Sequence, residues 1–542
     1  MPDRSPLRRT FAPLVAALVV LVILFAIVTW LPLRSARTQW RGGHIADAIA
    51  TAEGWSRTRM WPRQYEQVLA AAYLTSGHSD AAKPYLDALR GHELWFSVMA
   101  KTDVANRLFA RGDYAGFLLY DAAIHERKEP ADATLYRAAA LAETDRIPAA
   151  NAVLRSIDRR AVDSRKLSAL QNALAQESPH VLDRDGTTIG ANPDYQSFID
   201  AHAGKLTIGA YAARIGHHET IETTLDSAVQ HAAKEALKGY RGSIVAIDPR
   251  TNELLAIASS DPNGHQSNLA LEAQYEPGSI IKVLTGLNAM SSGVDVQSMF
   301  PYHCSGDLLI DGRHFGDWLP FGHGDLPDLD EALAESCNVY FADLGLKLGA
   351  DRLRRFMISA GFDGQTDIGL FQVPLGQLKG EMFNQFETAS LAIGLEHESV
   401  TALHVAMLAS MMANRGVLTT PRLVRARRSL LGEVVTGPGP QAQARIAPRE
   451  AAERMVQAMI AVVERPKGTG RRADVDALSL ALKTGTAGKR EDGYQAVIMA
   501  FAPADAPRIA FGIIAENAGP AEYAGAKIAH DFVSAIQGRI IK

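Results

Sequence analysis

The segment from residue 10 to residue 33 constrains the fold of this chain most strongly, because its 24 residues carry no charge. Residues 14–31 are almost entirely aliphatic. A helix rises about 1.5 Å per residue, so such a segment crosses a hydrocarbon core of about 30 Å. A cleaved signal peptide would need a shorter apolar region and a small-residue cleavage site, and neither is present. We therefore predict a transmembrane anchor at residues 11–33, preceded by a short tail at residues 1–10.

Charge on its own does not orient this anchor. Three arginines precede the apolar segment and three follow it, so the usual excess of positive charge on the cytoplasmic side is missing. They are Arg4, Arg8 and Arg9 on one side and Arg34, Arg37 and Arg41 on the other. The orientation must come from the chemistry of the rest of the chain.

Length and composition limit the classes of protein to consider. A chain of 542 residues is too long for one hydrophobic core and predicts two or three domains. The net charge of −4, without long runs of one sign, gives no reason to expect nucleic-acid binding. The chain has only two cysteines, so no disulfide framework supports the fold.

Residues 40–175 predict an all-helical region with a degenerate repeat. Apolar residues recur at helical spacing, and three segments share one frame, with Gly77, Gly112 and Asp145 at the same position. The steps of 35 and 33 residues bracket the 34-residue period of tetratricopeptide repeats. A glycine at this position suits the end of the first helix of a pair. An irregular helical bundle with the same apolar stripes is the alternative.

The remaining chain predicts an α+β domain. Residues 176–224 are interpreted as a linker or pedestal, and residues 225–542 begin with an amphipathic helix at 225–237. A β-hairpin is predicted at 242–259, then a helical middle, strands at 483–486, 496–501 and 509–514, and a helix at 524–536. This order predicts an antiparallel sheet with helices packed on both sides.

Three short motifs carry the chemistry. In the first, Ser279 follows Pro277-Gly278 and precedes an apolar helix, and Lys282 lies one turn further on the same face. Burial or a second cation would lower the pKa of that lysine and make it a base toward the serine. In the second motif, Ser336 and Asn338 flank Cys337; Ser336 is expected to relay a proton and Asn338 to hold a substrate amide.

The third motif, Lys483-Thr484-Gly485-Thr486, continues an apolar run and predicts an edge strand. Lys483 and Thr484 suit a substrate carboxylate, and a glycine in the strand permits close approach of a substrate backbone. The backbone N–H groups of Thr486 and Ser279 are candidates for an oxyanion hole. Each motif is weak alone, whereas the ordered set is specific.

This ordered set resembles the signature of the penicillin-binding transpeptidase family. The similarity runs from about residue 180 to residue 536, including the hairpin that begins Tyr240-Arg241-Gly242 and the approach Tyr275-Glu276-Pro277-Gly278-Ser279. It implies a monofunctional, class B-like enzyme, because the N-terminal region is too short and too helical for a glycosyltransferase. One departure is Ile393-Gly394-Leu395-Glu396, where family members often carry a Gly-Gln pair.

The resemblance also implies the reaction. Ser279 would be acylated by the penultimate D-Ala of a peptidoglycan stem peptide, and the amine of a second stem would resolve the ester into a cross-link. β-Lactams would mimic the donor. No cofactor is expected to be required for catalysis.

A second constellation contains both cysteines. Some elongation-type members of the family hold a structural zinc in this region, and Cys304, Asp317, His323 and Cys337 are similar in pattern. Two thiolates, an imidazole and a carboxylate make a plausible tetrahedral zinc set. A Cys304–Cys337 disulfide, natural outside the cytoplasm, and two unlinked residues are the alternatives.

We predict a membrane-anchored D,D-transpeptidase with its catalytic domain outside the cytoplasmic membrane, and therefore a cytoplasmic tail at residues 1–10. The alternatives are a D,D-carboxypeptidase, a β-lactamase and a β-lactam-sensing scaffold. No E-x-x-x-N deacylation motif lies between the second and third motifs, which disfavours the β-lactamase. The helical region is expected to dock a protein of the cell-wall synthesis machinery.

Overall fold

A computed structural model describes residues 7–57, 61–94, 96–126, 129–175, 180–190, 192–215, 220–265, 267–380, 383–432, 434–436, 441–488 and 493–540. Most of the predicted tail at residues 1–10 lies outside these ranges. The described residues form two compact units. The first contains residues up to 175, residue 220 and the described part of Arg427–Thr436, and the second contains the rest.

The first unit begins with an unusually long helix, α1 (Leu7–Arg41). Residues Val15–Arg41 of this helix are long and apolar enough to cross a membrane, and the most apolar 18 residues among them have a mean hydropathy of 2.8. The large apolar side chains from Val15 to Val28 are about half exposed, but Leu33, Ala36 and Trp40 are buried in the core of the unit. The same helix therefore serves as candidate membrane span and as part of a folded core.

Among the described residues up to 175, the first unit contains eight further helices and two very short strands. They are α2 (Ile45–Ser56), α3 (Pro62–Thr75), α4 (Ser79–Leu89), β1 (Glu93–Leu94), α5 (Lys101–Phe109), α6 (Tyr114–Ala123), β2 (His125–Glu126), α7 (Ala131–Glu143), α8 (Ile147–Ser156) and α9 (Ser164–Leu174).

The predicted repeat frame corresponds to three helix pairs with the same turn. Gly77, Gly112 and Asp145 follow α3, α5 and α7, and each has a positive φ, of 87°, 70° and 58°. After each of them the next N–H bonds to a carbonyl five residues back, at 2.9 Å (His78 to Tyr73), 2.9 Å (Asp113 to Leu108) and 2.8 Å (Arg146 to Leu141). This is the Schellman arrangement that a left-handed residue permits at a helix end. The assignment to the tetratricopeptide class stays a prediction.

A five-stranded antiparallel sheet lies at the centre of the second unit, in the order β19-β20-β21-β5-β6. Strands β5 (Arg241–Asp248) and β6 (Glu253–Ser260) form the predicted hairpin, and β20 (Gln495–Ala502) and β21 (Ile509–Glu516) contain the later predicted strands. Strand β19 (Ala481–Ala487) carries the third motif and, among the described residues, pairs with β20 alone. The prediction that this motif lies on an edge strand is confirmed.

Helices cover both faces of this sheet. Helices α12 (Ser227–Ala236) and α21 (Ala524–Ile540) pack on β6, β20 and β21 and contact each other, whereas α19 (Ala402–Ala413) packs on β5, β20 and β21. All twelve residues of α19 are buried, as expected of a helix enclosed between the sheet and other elements. The other helices of this unit are α10 (Gln196–Ile199), α11 (Ile208–Ile215), α13 (Leu269–Glu272), α14 (Ile281–Ser291), α15 (Leu329–Ala334), α16 (Asn338–Leu348), α17 (Ala350–Ser359), α18 (Gln385–Ile393) and α20 (Arg449–Glu464).

The remaining strands are short. They are β3 (His180–Leu182), β4 (Thr220–Thr223), β7 (Tyr302–Cys304), β8 (Asp307–Ile310), β9 (Arg313–Gly316), β10 (Gly324–Leu326), β11 (Gln365–Asp367), β12 (Gln372–Pro374), β13 (Gln377–Leu378), β14 (Glu398–Ser399), β15 (Val417–Thr419), β16 (Val424–Arg428), β17 (Val434–Thr436) and β18 (Gln443–Arg445). The predicted linker at residues 176–224 contains β3, α10, α11 and β4 among its described residues. The predicted domain boundaries stay predictions.

Candidate active site

The serine of the first motif lies on a tight turn in front of a buried helix. Residues Gly278–Ile280 form one 3₁₀ turn, and α14 follows directly. The N–H of Gly278 donates to the carbonyl oxygen of Gly394 at 2.9 Å, which holds the turn in place. Ser279 is half-buried, and among the described residues its hydroxyl has no hydrogen-bond partner. The serine is therefore presented to a cleft rather than enclosed.

Lys282 reaches the second motif from the next turn of the chain. Its side chain is fully buried. The ammonium donates to Asn338 Oδ1 at 2.6 Å, to the Ser336 carbonyl oxygen at 2.7 Å and to Ser336 Oγ at 3.2 Å. Burial lowers the pKa of Lys282 to about 8, because a charged amine loses its hydration there. A substantial fraction of the lysine is thus neutral near physiological pH.

Ser336 connects the two lysines of the site. It lies between α15 and α16 with a φ of 55°, in the left-handed region that a residue with a side chain seldom adopts. Its Oγ accepts from Lys282 at 3.2 Å and from Lys483 at 2.9 Å. A hydroxyl oxygen has two acceptor positions, so its own proton is left for a third partner.

The third motif contributes Lys483 and the threonines on either side of Gly485. Lys483 is fully buried and also donates to the Thr484 carbonyl oxygen at 2.8 Å. Burial, followed by the charge of Lys282, lowers the pKa of Lys483 well below its usual value. The hydroxyl of Thr484 is hydrogen-bonded to that of Thr469 at 2.7 Å, and Thr486 Oγ1 accepts the N–H of Ala521 at 3.0 Å. Both threonine side chains are thereby fixed along the cleft.

Two glycines bring the nucleophile turn and this strand into backbone contact. A Cβ on Gly278 would lie 2.7 Å from the carbonyl oxygen of Thr486 and 3.0 Å from its nitrogen, and a Cβ on Gly485 would collide with the carbonyl oxygen of Pro277. Sequence reasoning assigned Gly485 to the approach of a substrate. In the structure the nucleophile turn makes that close approach. Gly394 was noted only as a departure from the family pattern, and its contact with Gly278 has no local sequence signal.

The four candidate metal ligands lie together. One ligand atom from each of Cys304, Asp317, His323 and Cys337 falls within 4.8 Å of the others. Both cysteines are free, so the disulfide considered from the sequence is not formed. The hydrogen bond from Cys337 lowers the pKa of Cys304 to about 6, and burial raises the pKa of Cys337. A cation would be needed to hold both as thiolates, so the donor set fits zinc.

This group of ligands is also hydrogen-bonded to the backbone of the second motif. Asp317 Oδ2 accepts the backbone N–H groups of Asn338 at 2.7 Å and Val339 at 3.1 Å, at the start of α16. His323 contacts Asp317 at 3.1 Å through Nε2, and its Nδ1 lies 2.9 Å from Glu335 Oε2. Glu335 was missed by the sequence reasoning, because a glutamate before a serine carries no signal. Such a partner orients a metal-binding imidazole.

The arrangement is suited to acyl transfer through a serine ester. The nucleophile has a buried amine one turn away, a hydroxyl between two amines provides a proton path, and backbone N–H groups lie at the contact of turn and strand. The structure brings Lys282, Ser336, Asn338 and Lys483 into one hydrogen-bonded group. Ser279 adjoins this group, because the glycine before it lies against the backbone of Thr486, and Thr484 and Thr486 lie on the strand that carries Lys483.

Comparison with known proteins is consistent with this geometry. Residues 242–537, more than half of the chain, match the family model described as the penicillin binding protein transpeptidase domain. The peptidoglycan D,D-transpeptidase MrdA of Acinetobacter baumannii is 30% identical over 379 residues, 60% of this chain and 55% of that protein. The peptidoglycan D,D-transpeptidase PbpA of Mycolicibacterium smegmatis is 28% identical over 58% of this chain and 71% of that protein.

Among solved structures, the ceftriaxone acyl-enzyme complex of penicillin-binding protein A from M. tuberculosis superposes with a TM-score of 0.59 at 20% identity. The match covers 68% of this chain and 99% of that one, and it shows the fold. The α+β fold predicted from the sequence is confirmed. The chain spans about half the length of the MrdA relative that it matches.

Proposed function

The chain belongs to the penicillin-binding protein transpeptidase family, and we propose that it is a D,D-transpeptidase that cross-links peptidoglycan stem peptides through an ester on Ser279. One observation carries this proposal: the Ser336 hydroxyl accepts from both Lys282 and Lys483 beside the turn that presents Ser279. The names of the relatives point to the same reaction.

The acylation step follows from the contacts of the site. Neutral Lys282 accepts the Ser279 proton while Oγ attacks the carbonyl carbon of the penultimate D-Ala. The N–H groups of Ser279 and Thr486 stabilise the oxyanion, an effect of about 3–4 kcal/mol for each donor removed. Ser336 passes its proton to the leaving amine and takes the proton held by Lys282 through their hydrogen bond, so the C–N bond breaks, D-Ala departs with a neutral amine and Lys282 is neutral again.

The other groups hold the donor peptide. Asn338 Oδ1 is bonded to Lys282, which leaves its amide N–H groups for a substrate carbonyl. Lys483 and Thr484 face the donor's terminal carboxylate. The amine of a second stem then attacks the ester carbonyl, and Lys282 takes a proton from this amine and returns it to Ser279 Oγ. The ester C–O bond breaks, a new amide bond joins the two stems, and Ser279 is regenerated. A β-lactam acylates the same serine by opening of its ring, so its amine stays tethered to the acyl group and blocks the second step.

A D,D-transpeptidase and a D,D-carboxypeptidase differ in the group that attacks the ester on Ser279, which is an amine in the first and water in the second. Purified enzyme is incubated with a stem pentapeptide and an amine acceptor, and released D-Ala and the joined product are measured separately. The proposal requires a product peptide that contains the acceptor. Release of D-Ala with hydrolysed donor only would identify a carboxypeptidase, and rapid turnover of a β-lactam would identify a β-lactamase.

The proposal also orients the chain. Peptidoglycan lies outside the cytoplasmic membrane, so the residues after α1 lie on the periplasmic or extracellular side and the tail at residues 1–10 is cytoplasmic. The long apolar part of α1 supports a single-pass anchor. Protease added to intact spheroplasts should degrade the second unit; complete protection would reverse the orientation.

We propose that Cys304, Asp317, His323 and Cys337 hold one structural zinc ion. The convergence of their ligand atoms within 4.8 Å supports this set. Bound zinc would supply the positive charge that keeps both thiols ionised and Asp317 in place behind Asn338. Catalysis itself uses side chains and backbone only.

We propose that the helical region docks a protein of the cell-wall synthesis machinery. The repeated helix pairs support this role, because stacked pairs form extended binding surfaces. Deletion of α2 to α9 should impair cross-linking and localisation in cells, and unchanged cross-linking and localisation would contradict the docking role.

A further inference from the structure

An apolar groove of about 440 Å³ lies in the first unit, between α1 and the segments around residues 61 and 96. It is lined by Ile23, Ala26, Ile27, Trp30, Trp61 and Phe96. The first four belong to the candidate membrane span, whereas Trp61 precedes α3 and Phe96 follows β1. The groove is therefore built by the span and by two segments distant from it in sequence.

Two side chains at the start of α3 donate hydrogen bonds to α1 within its uncharged segment. Thr29 is 1% exposed; its hydroxyl accepts from Trp61 Nε1 at 3.2 Å and its carbonyl oxygen accepts from the Tyr65 hydroxyl at 2.9 Å. The uncharged segment continues for four residues beyond Thr29, about 6 Å of helix. If α1 spans the bilayer, Trp61 and Phe96 lie at the depth of the interface between hydrocarbon and headgroups.

The aromatic rings are arranged as an interfacial cluster. Trp30, Trp61 and Phe96 contact one another edge to face, with centroids 5.3–6.1 Å apart. Tryptophan is enriched at this depth because its ring is apolar while its N–H is polar. All three rings remain partly exposed, and the neighbouring Ile23 and Ile27 are about half exposed.

A neighbouring cavity is more polar than this groove. A second cavity of about 330 Å³ shares Trp61 and Phe96 with the first and is lined further on by Arg63, Gln64 and Glu93. The apolar part extends only from Ile23 to Trp30, about 10 Å or two helical turns. A partner's transmembrane helix would need a longer apolar face, whereas one acyl chain with a headgroup beside Arg63 fits both parts.

We propose that this groove binds a phospholipid, with an acyl chain against Ile23 and Ile27 and the headgroup phosphate at Arg63. The helical unit is thereby seated on the membrane surface rather than tethered above it. The inference rests on the proposed membrane anchoring of α1 and is independent of the chemistry at Ser279.

Photolabelling tests the groove directly. The full chain is placed in nanodiscs of phosphatidylethanolamine and phosphatidylglycerol that contain a phospholipid with a diazirine near the carboxyl end of one acyl chain. After irradiation, adducts are mapped by mass spectrometry. We expect adducts at Trp61 and Phe96 as well as on α1. The stacked pair Tyr73 and Tyr85 of the same unit should stay unlabelled, because Tyr73 lies about 18 Å along α3 from Trp61.

Adducts confined to α1, or equal labelling of Tyr73 and Trp61, would overturn the proposal. Cross-links from Trp61 or Phe96 to a second protein chain would assign the groove to a protein and would also overturn it. The Arg63→Gln variant tests the headgroup contact, because it changes the charge without removing a ring of the groove. It should lower labelling of Trp61 and Phe96 severalfold with both the phosphatidylglycerol and the phosphatidylethanolamine probe, because both headgroups contain the phosphate. Unchanged labelling by either probe would contradict the headgroup assignment.

Discussion

At the scale of single residues, the chemistry depends on two buried amines that share one hydroxyl. Lys282 and Lys483 both donate to Ser336 Oγ, and burial lowers the pKa of each. Two full charges so close together in a dry site would repel strongly. The arrangement therefore favours loss of one proton, which is the state that a general base requires.

The pH dependence of acylation tests this base. Lys282 acts when neutral, and its pKa is lowered to about 8, so about a tenth of it is neutral at pH 7. We predict that the rate of acylation by a fluorescent penicillin rises about tenfold from pH 7 to a plateau above the pKa. Lys282→Ala should slow acylation severely and remove the dependence. A flat profile for the wild-type enzyme would contradict the role of Lys282.

Gly485 offers a residue-scale test of alignment between strand and nucleophile. The Cβ of Gly485→Ala would press on the carbonyl oxygen of Pro277 and displace the turn that carries Ser279. Misplacement by about 1 Å costs about 100-fold in rate, so we predict acylation slower by about that factor with little change in the folded content. Gly316→Ala is the control, because nothing lies within 4 Å of its Cβ position. Equal rates for the two variants would refute the alignment argument.

At the scale of elements, the four candidate metal ligands position the N-terminal end of helix α16. Asp317 accepts two N–H groups at the start of α16, and Cys337 is its N-cap, with Sγ accepting from Tyr340 N at 3.3 Å. Asn338 and Ser336 on either side face Lys282. A change in the cluster is therefore expected to reach the active site through the start of this helix.

Metal content tests the role of this cluster. We predict about one zinc ion per chain in purified wild-type protein, and loss of the metal together with slower acylation in His323→Ala. His303→Ala is the matched control, because His303 is exposed, adjacent to Cys304 and paired with Asp325 at 2.7 Å. Elemental analysis and thiol titration measure the outcome. A wild-type protein without metal, or equal metal loss in both variants, would exclude the zinc site.

The elements also show which parts of the fold local sequence can predict. The hairpin, the edge strand and the recurring turn at Gly77 and Gly112 depend on residues close in sequence, and sequence patterns predicted them. The meeting of Lys282 and Lys483 at Ser336 joins residues 54 and 147 positions apart. The resemblance of the motifs to a known family predicted the roles of these three residues. Gly394 and Glu335 contact residues that are distant in sequence, so no local pattern predicted their roles.

At the scale of the whole molecule, the membrane span and the helical unit share one helix. Trp40 is 1% exposed, donates to Thr75 Oγ1 at 2.9 Å and lies under the guanidinium of Arg107 at 4.4 Å. Part of α1 is thus inseparable from the core of the first unit. A truncation up to residue 44 therefore removes Trp40 and its core contacts together with the anchor.

Two truncations test that continuity. Removal of residues 1–25 should leave a helical unit that unfolds cooperatively, because Thr29, Leu33, Ala36 and Trp40 are kept. Removal of residues 1–44 should lower its stability by at least about 3–5 kcal/mol, the usual cost of losing one large buried aromatic side chain. Thermal unfolding followed by circular dichroism measures the difference. Equal melting temperatures would show that α1 is only a tether.

The central claim is that Ser279 forms the acyl-enzyme. Intact-mass spectrometry of the full chain after incubation with a penicillin, followed by peptide mapping, tests it most directly. We predict one adduct per chain, located on Ser279, that persists for many minutes, and no adduct in a folded Ser279→Ala variant. An adduct on another residue, or undiminished labelling of Ser279→Ala, would contradict the account.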